Sequence, residues 1–190
     1  MAVASPPLRA LLPVLVALVA SWGLPAHASR LPEPVANGDY ELRRVGAGDL
    51  SWLGRPVYAA SLWTPAGRFD GYGSGEPVAL SLWYQRSFSR GELVRITRTA
   101  WRLLDVADER RNAWANALQG LWNDVAPGDN LTAVVLPGRA TRFYNQDKLL
   151  GEVSDPAFGP AFLSIWLDPR SVLPDLRARL LGAESVVDSR

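Results

Sequence analysis

Three runs in the first half of the chain carry the apolar patterning of β-strands. Residues 40–45 alternate and stop at Gly46, whereas 56–63 and 77–84 are nearly continuous in apolar and aromatic side chains and begin at prolines. Between the last two, residues 65–76 hold four glycines and no apolar period, which predicts an exposed loop. The period then changes. Over residues 89–104, Leu93, Ile96, Ala100, Leu103 and Leu104 recur at helical spacing, and over 108–122 so do Trp114, Leu118, Leu121 and Trp122, with Asp108 placed to cap the second helix. Pro127-Gly128-Asp129 breaks this pattern. Residues 131–136 and 141–144 then read as a hairpin closed by Pro137-Gly138-Arg139-Ala140, followed by a turn at 145–147 and a short segment at 148–151. Asp155 as cap with Pro156 behind it opens a further helix lined by Phe158, Phe162, Ile165 and Trp166. A last short helix fits 173–181, stopped by Gly182. Strands, two helices, strands, two helices predict one α+β domain with a largely antiparallel sheet under a helical layer.

The N-terminus departs from this pattern. Arg9 is the only charge among the first 29 residues, an apolar run covers 10–20, and Ala26-His27-Ala28 has the small-x-small form that a signal peptidase accepts. The apolar core is shorter than the roughly 20 residues of a spanning helix, and Pro13 and Pro25 interrupt the wider segment. The expectation is a signal peptide, residues 1–28, cut after Ala28, with export to the periplasm and no integral membrane segment afterwards. Residues 29–38 contain two prolines and an Asn-Gly pair and read as a flexible lead-in; residues 39–190 then form the single domain.

Composition narrows the chemistry. The chain has 1 histidine, no cysteine and 1 methionine; His27 and Met1 both fall in the leader. What remains lacks an imidazole base, a thiolate nucleophile and His/Cys metal ligands, so neither a metal nor a cofactor is expected. Of the 20 basic residues, only Arg9 is lost with the leader, which leaves basic and acidic residues in balance and gives no call for nucleic acid. Gly46-Ala47-Gly48 is no phosphate loop, since no helix follows. Asp105, Asp108 and Glu109 fall at a helix start, where acids complement the dipole. Of the 8 tryptophans, Trp22 lies in the leader and most others sit at core-like spacing. Trp63 and Trp83 close adjacent candidate strands and are the two placed to line an apolar cleft.

Three stretches together resemble the bacterial chalcone-isomerase-like domain of exported proteins. They are Val45-Gly46-Ala47-Gly48 leading into Trp52-Leu53-Gly54-Arg55-Pro56-Val57-Tyr58; Pro127-Gly128-Asp129 through Leu136-Pro137-Gly138 to Phe143-Tyr144; and Leu150-Gly151-Glu152, Asp155-Pro156-Ala157-Phe158 and Ile165-Trp166-Leu167-Asp168-Pro169. The resemblance implies an open-faced β-sandwich with a cleft between a large antiparallel sheet and a helical layer. Plant enzymes of that family cyclise chalcones with a strand arginine, a threonine and a tyrosine, and related members hold a fatty acid. The strand arginine corresponds to Leu50 here, and the following hydroxyl to Tyr58. A guanidinium lost where negative charge develops removes several kcal/mol of transition-state stabilisation (about 3–4), so the expected function is binding a small amphipathic ligand, a fatty acid or phenolic acid, without chalcone cyclisation. The candidate ligand-binding residues are Tyr58, Arg55, Arg43, Trp63 and Trp83. Two alternatives stay open: an intramolecular lyase or isomerase acting on an enone polarised by Tyr58 and Arg55, and an envelope protein-interaction module with no ligand.

Overall fold

The computed structural model describes residues 30–182; the leader and the cleavage point expected after Ala28 lie outside them. Six strands form one sheet in chain order, every neighbouring pair antiparallel: β1 (Arg43–Trp52), β2 (Arg55–Thr64), β3 (Val78–Tyr84), β4 (Asn130–Leu136), β5 (Ala140–Tyr144) and β6 (Leu149–Val153). A short helix, α1 (Glu33–Ala36), precedes the sheet. The pair α2 (Arg90–Leu103) and α3 (Asp108–Leu121) is inserted between β3 and β4, and α4 (Phe158–Leu167) and α5 (Pro174–Leu180) follow β6. The architecture is the α+β open sheet with a helical layer that the element order predicts.

The near-continuous apolar runs of β2 and β3 have a simple cause: both faces of these strands are covered. On one face Ala60, Leu62, Leu80, Leu82, Ala133, Val135 and Phe143 pack under helices α2 to α5. Trp101, Phe143 and Phe158 are wholly buried there. Phe158 and Phe162 stack with ring centroids 5.7 Å apart, and Trp101 meets Trp114 edge-on at 5.4 Å. On the opposite face Ala79, Val134, Leu136 and Tyr144 are buried with Val35 of α1, and Leu31, Tyr40, Leu42 and Trp63 pack around them.

Helix starts follow local chemistry. Ser89 caps α2 in a capping box with Glu92, the Ser89 hydroxyl accepting from the Glu92 amide and the Glu92 carboxylate from the Ser89 amide. Asp108, expected to cap α3, is instead its first helical residue; Ala107 holds the cap position, and Asp108 pairs with Arg111 one turn on. Asp155 stands ahead of α4, whose cap position is Ala157, and accepts from the Ala157 amide at 2.9 Å.

Four other expectations are corrected. The first strand does not end at Gly46 but runs to Trp52, because α5 lies across it and Gly46 and Gly48 give the approach its room. Residues 30–38 are not a bare lead-in: α1 forms there and Val35 is wholly buried on the sheet. On α2 the buried side is Leu93, Val94, Thr97 and Trp101, whereas Ile96 and Leu103 face outward. Trp52 is also exposed, at the end of the β1–β2 hairpin. That hairpin turns through Leu53 and Gly54, both at positive φ (50° and 71°), as a two-residue mirror-image turn requires.

Candidate functional site

The open face of the sheet, opposite the helical layer, carries a row of small polar side chains on its central strands. Ser61, Ser81, Asn130 and Thr132 are all buried, so each must find partners within the protein. The Asn130 amide donates to Ser81 Oγ at 2.8 Å and to the Leu82 carbonyl at 3.2 Å; Thr132 Oγ1 donates to Asn130 Oδ1 at 2.8 Å. Ser61 makes a separate contact, accepting from Trp63 Nε1 at 2.9 Å, which fixes the indole on this face. Register sets Trp63 opposite Ala79 and Trp83 opposite Ala59 and Asn130, which puts both indoles on this face.

The segment before β1 crosses over these indoles and leaves a groove of about 880 Å³ between itself and the sheet. Trp63 and Trp83 form its aromatic part, with Leu31, Pro32 and Leu42 from the covering segment. Arg30 and Arg43 bring positive charge, Glu33 and Glu41 negative charge, and Gln146 an amide. Trp83 Nε1 donates to the Arg30 carbonyl at 3.4 Å, and Arg142 donates to the Tyr40 hydroxyl at 3.1 Å while pairing with Glu152 at 3.2 Å. Glu152, first, and then Tyr40 hold the Arg142 guanidinium above its ordinary pKa, so this tie stays charged. An aromatic surface with guanidinium groups alongside is suited to a molecule with one apolar and one anionic part.

The five residues singled out from the sequence do not meet in one place. Arg43, Trp63 and Trp83 line the groove. Tyr58 lies beneath the helical layer, where its hydroxyl accepts from Trp166 Nε1 at 2.9 Å and its ring meets Tyr84 edge-on at 6.0 Å. Burial pushes the Tyr58 phenol up to about 12, the Trp166 hydrogen bond offsetting part of the effect. Tyr84 and Tyr72 are pushed up as well, by burial first and then by Tyr58 and Asp168 respectively. Directly across the ladder from Tyr58 stands Leu50. Arg55 is exposed beside the hairpin turn, paired in register with Trp52.

A smaller hollow of about 360 Å³ separates β1 from the start of α5, lined by Asp49, Leu50, Ser51, Leu173 and Arg179 among others. One Asp49 oxygen is buried without a partner. Burial raises the Asp49 pKa, and the Arg179 guanidinium pulls it partly back. Sequence reasoning missed Arg30, Leu31, Pro32, Leu42 and Gln146 as groove residues. The available signal was the spacing of Leu31 and Val35, apolar residues in a stretch otherwise read as a loose lead-in, with Leu42 in the strand-like run beyond it.

A six-stranded antiparallel sheet under a helical layer is a chalcone-isomerase-like architecture; the cleft that the resemblance puts between sheet and helices is filled here by the aromatic core, and the groove lies on the opposite face. The chain belongs to the chalcone isomerase-like family, whose model matches residues 26–182. An uncharacterised protein of Haemophilus influenzae is 27% identical over 138 residues, 73% of this chain and 67% of that protein. Among solved structures, the crystal structure of the Arabidopsis thaliana fatty-acid binding protein AtFAP1 superposes with a TM-score of 0.59 at 13% identity, covering 76% of this chain and 88% of that one. At that identity the likeness shows the fold alone.

Proposed function

We propose that this protein is an exported, periplasmic binding protein that holds a small amphipathic carboxylate, a fatty acid or a phenolic acid, in the groove between its N-terminal segment and the open face of the sheet. The observation that carries this reading is the pairing of the Trp63 and Trp83 indoles with the Arg43 and Arg30 guanidinium groups around one groove of about 880 Å³, ample for a ligand of that size. The apolar part of the ligand lies on the indoles and its carboxylate is held by Arg43. Periplasmic location rests on the apolar stretch at 10–20 and the Ala26-His27-Ala28 site. That AtFAP1 is a fatty-acid binding protein supports the ligand class.

Binding without cyclisation is supported by Leu50, an aliphatic residue across from Tyr58, where the family resemblance would have an arginine. A leucine offers no positive charge to a phenolate.

Titration of palmitate and of a hydroxycinnamate into the protein, followed by tryptophan fluorescence and calorimetry, tests the reading. Arg43→Gln should weaken binding roughly tenfold or more, the worth of one charge-assisted hydrogen bond, and Trp63→Ala should remove most of the fluorescence response. Tyr58→Phe should leave the affinity unchanged. Binding that depends on Tyr58 and ignores Arg43 would move the ligand to the other side of the sheet, and no binding of either acid would end the proposal.

A further inference from the structure

The outer surface of α2 carries two stripes that the fold does not use. At 100° per residue, Arg95, Arg98 and Arg102 lie along one line of the helix, and Ile96 and Leu103 along the next. Both stripes lie away from the buried residues Leu93, Val94, Thr97 and Trp101. Ile96 is 47% exposed and Leu103 56%, and Leu103 borders a shallow dent shared with Val172, itself 64% exposed. The basic stripe edges a hollow of about 450 Å³ completed by Thr99 and by Asp108 and Arg111 of α3. Four arginines and one carboxylate thus line this hollow, in a chain whose formal net charge is only +1.

That carboxylate is already taken. Asp108 pairs with Arg111, whose side chain also donates to the Val106 carbonyl at 2.5 Å. Among the described residues, Arg98 and Arg102 form no ion pair, and Arg95 has only a through-space attraction to Glu92. Like charges three to four residues apart on a helix destabilise it slightly; Arg102 offsets part of this by standing in the last turn of α2, where a cation complements the helix dipole, but Arg98 has no ion-pair partner among the described residues. Exposed Ile96, Leu103 and Val172 add apolar surface beside it.

We propose that this face of α2 docks on a bilayer surface bearing anionic headgroups of the phosphatidylglycerol type. Arg95, Arg98 and Arg102 engage the phosphates, while Ile96, Leu103 and Val172 enter the boundary between headgroups and acyl chains. A charged stripe beside an aliphatic one is the pattern of helices that lie in that interface, and arginine stems can run along the apolar boundary with their heads at the phosphates. A nucleic acid or a free phosphate would satisfy the arginines but leave the three aliphatic side chains without a partner. The inference stands apart from the ligand groove, which is built by other elements.

The described elements lie within residues 30–182, and the chain from residue 29 onward is the sample for vesicle flotation. Vesicles of phosphatidylglycerol and phosphatidylethanolamine in equal parts are compared with phosphatidylcholine alone. Binding is expected on the first and not the second, falling as salt is raised from about 0.05 to about 0.5 M, where screening shortens to a few ångströms. Arg98→Gln with Arg102→Gln should weaken it roughly 25-fold, about fivefold per arginine. Ile96→Ser with Leu103→Ser should weaken it independently. All four side chains are exposed, so circular dichroism and melting of both variants should match the parent. Equal binding to both vesicle types, or an arginine pair variant that floats like the parent, overturns the proposal. So does retention on heparin or RNA stronger than on the anionic vesicles and indifferent to the Ile96/Leu103 change, which would make the stripe a polyanion site.

Discussion

Asp155 ties together two stretches of chain 41 residues apart. Its carboxylate accepts from the Ala157 amide and from Trp114 Nε1, each at 2.9 Å, which joins the entry of α4 to the middle of α3. Those hydrogen bonds, the backbone one first, hold the carboxyl below its ordinary pKa against a smaller opposing effect of burial. A carboxylate with a lowered folded pKa stabilises fully above its unfolded value of about 3.9 and loses that contribution as pH falls through the folded value. Asp155→Ala should therefore cost about 1 kcal/mol at pH 7, near the low end for such a cap because the group is partly exposed. In urea titrations at pH 7, 4 and 3 the gap to the parent should narrow as pH falls; a gap constant across that range would refute the carboxylate's role. A carboxylate at the entry of α4 was legible because Asp-Pro before an apolar run is local chemistry, although the cap position itself falls two residues later, at Ala157. Its bond to Trp114 was not, since nothing in a sequence says which distant indole a carboxylate will meet. The same limit separated Tyr58 from Arg43: both look like polar anchors, and only the pairing of strands puts them in different environments.

At the scale of elements, contacts between α5 and β1 explain a motif that reads ambiguously in one dimension. A Cβ built on Gly46 would sit 2.1 Å from the Arg179 carbonyl oxygen and 2.6 Å from that of Leu180, both backbone atoms that move only if the helix moves. At Gly48 the nearest atom is Arg179 Nε at 2.6 Å, the end of a flexible side chain. Gly46→Ala should accordingly destabilise by about 2–3 kcal/mol, the upper range for overpacking, and Gly48→Ala by less. Denaturation together with limited proteolysis around residues 168–182 checks this, since release of α5 is the expected route of relief. Equal effects at the two positions would contradict the backbone-contact account. The glycines read as a strand end because glycine weakens strands in isolation; the helix that needs the space lies some 130 residues later. On α2 the apolar period was legible, but not which of its residues would be buried. The helix has two apolar stripes, however, and choosing which one faces the sheet needs the position of α4, where the Ala161 carbonyl accepts from Trp101 Nε1 at 2.8 Å.

The whole molecule is a sheet between two unequal covers. The helical layer and its aromatic cluster form a large core, while the N-terminal segment supplies only Val35 and a few partly buried neighbours to the other face. The class of fold was readable from element order because the thick cover dominates the sequence pattern; the thin one was not, because three spaced aliphatic residues make a weak signal. This asymmetry predicts that the two covers fail differently. Val35→Asp would place a charge at a site with no exposure, and the segment can avoid that burial by lifting off. The loss is then limited to about 2–3 kcal/mol, the worth of one buried valine with the small contacts around it. Phe158→Ala, in the thick core and equally buried, cannot escape and should cost about 3–5 kcal/mol. Val35→Asp should free the backbone around Arg30 enough for trypsin to cut there, while the rest of the domain stays resistant and its melting temperature falls less than that of Phe158→Ala. Because the segment forms one wall of the groove, the same change should weaken binding of palmitate at least tenfold. A Val35→Asp protein that unfolds as readily as Phe158→Ala would mean that the segment belongs to the core and cannot open for a ligand. A protein trimmed at its N-terminus but binding as before would mean that the groove is not where the ligand sits.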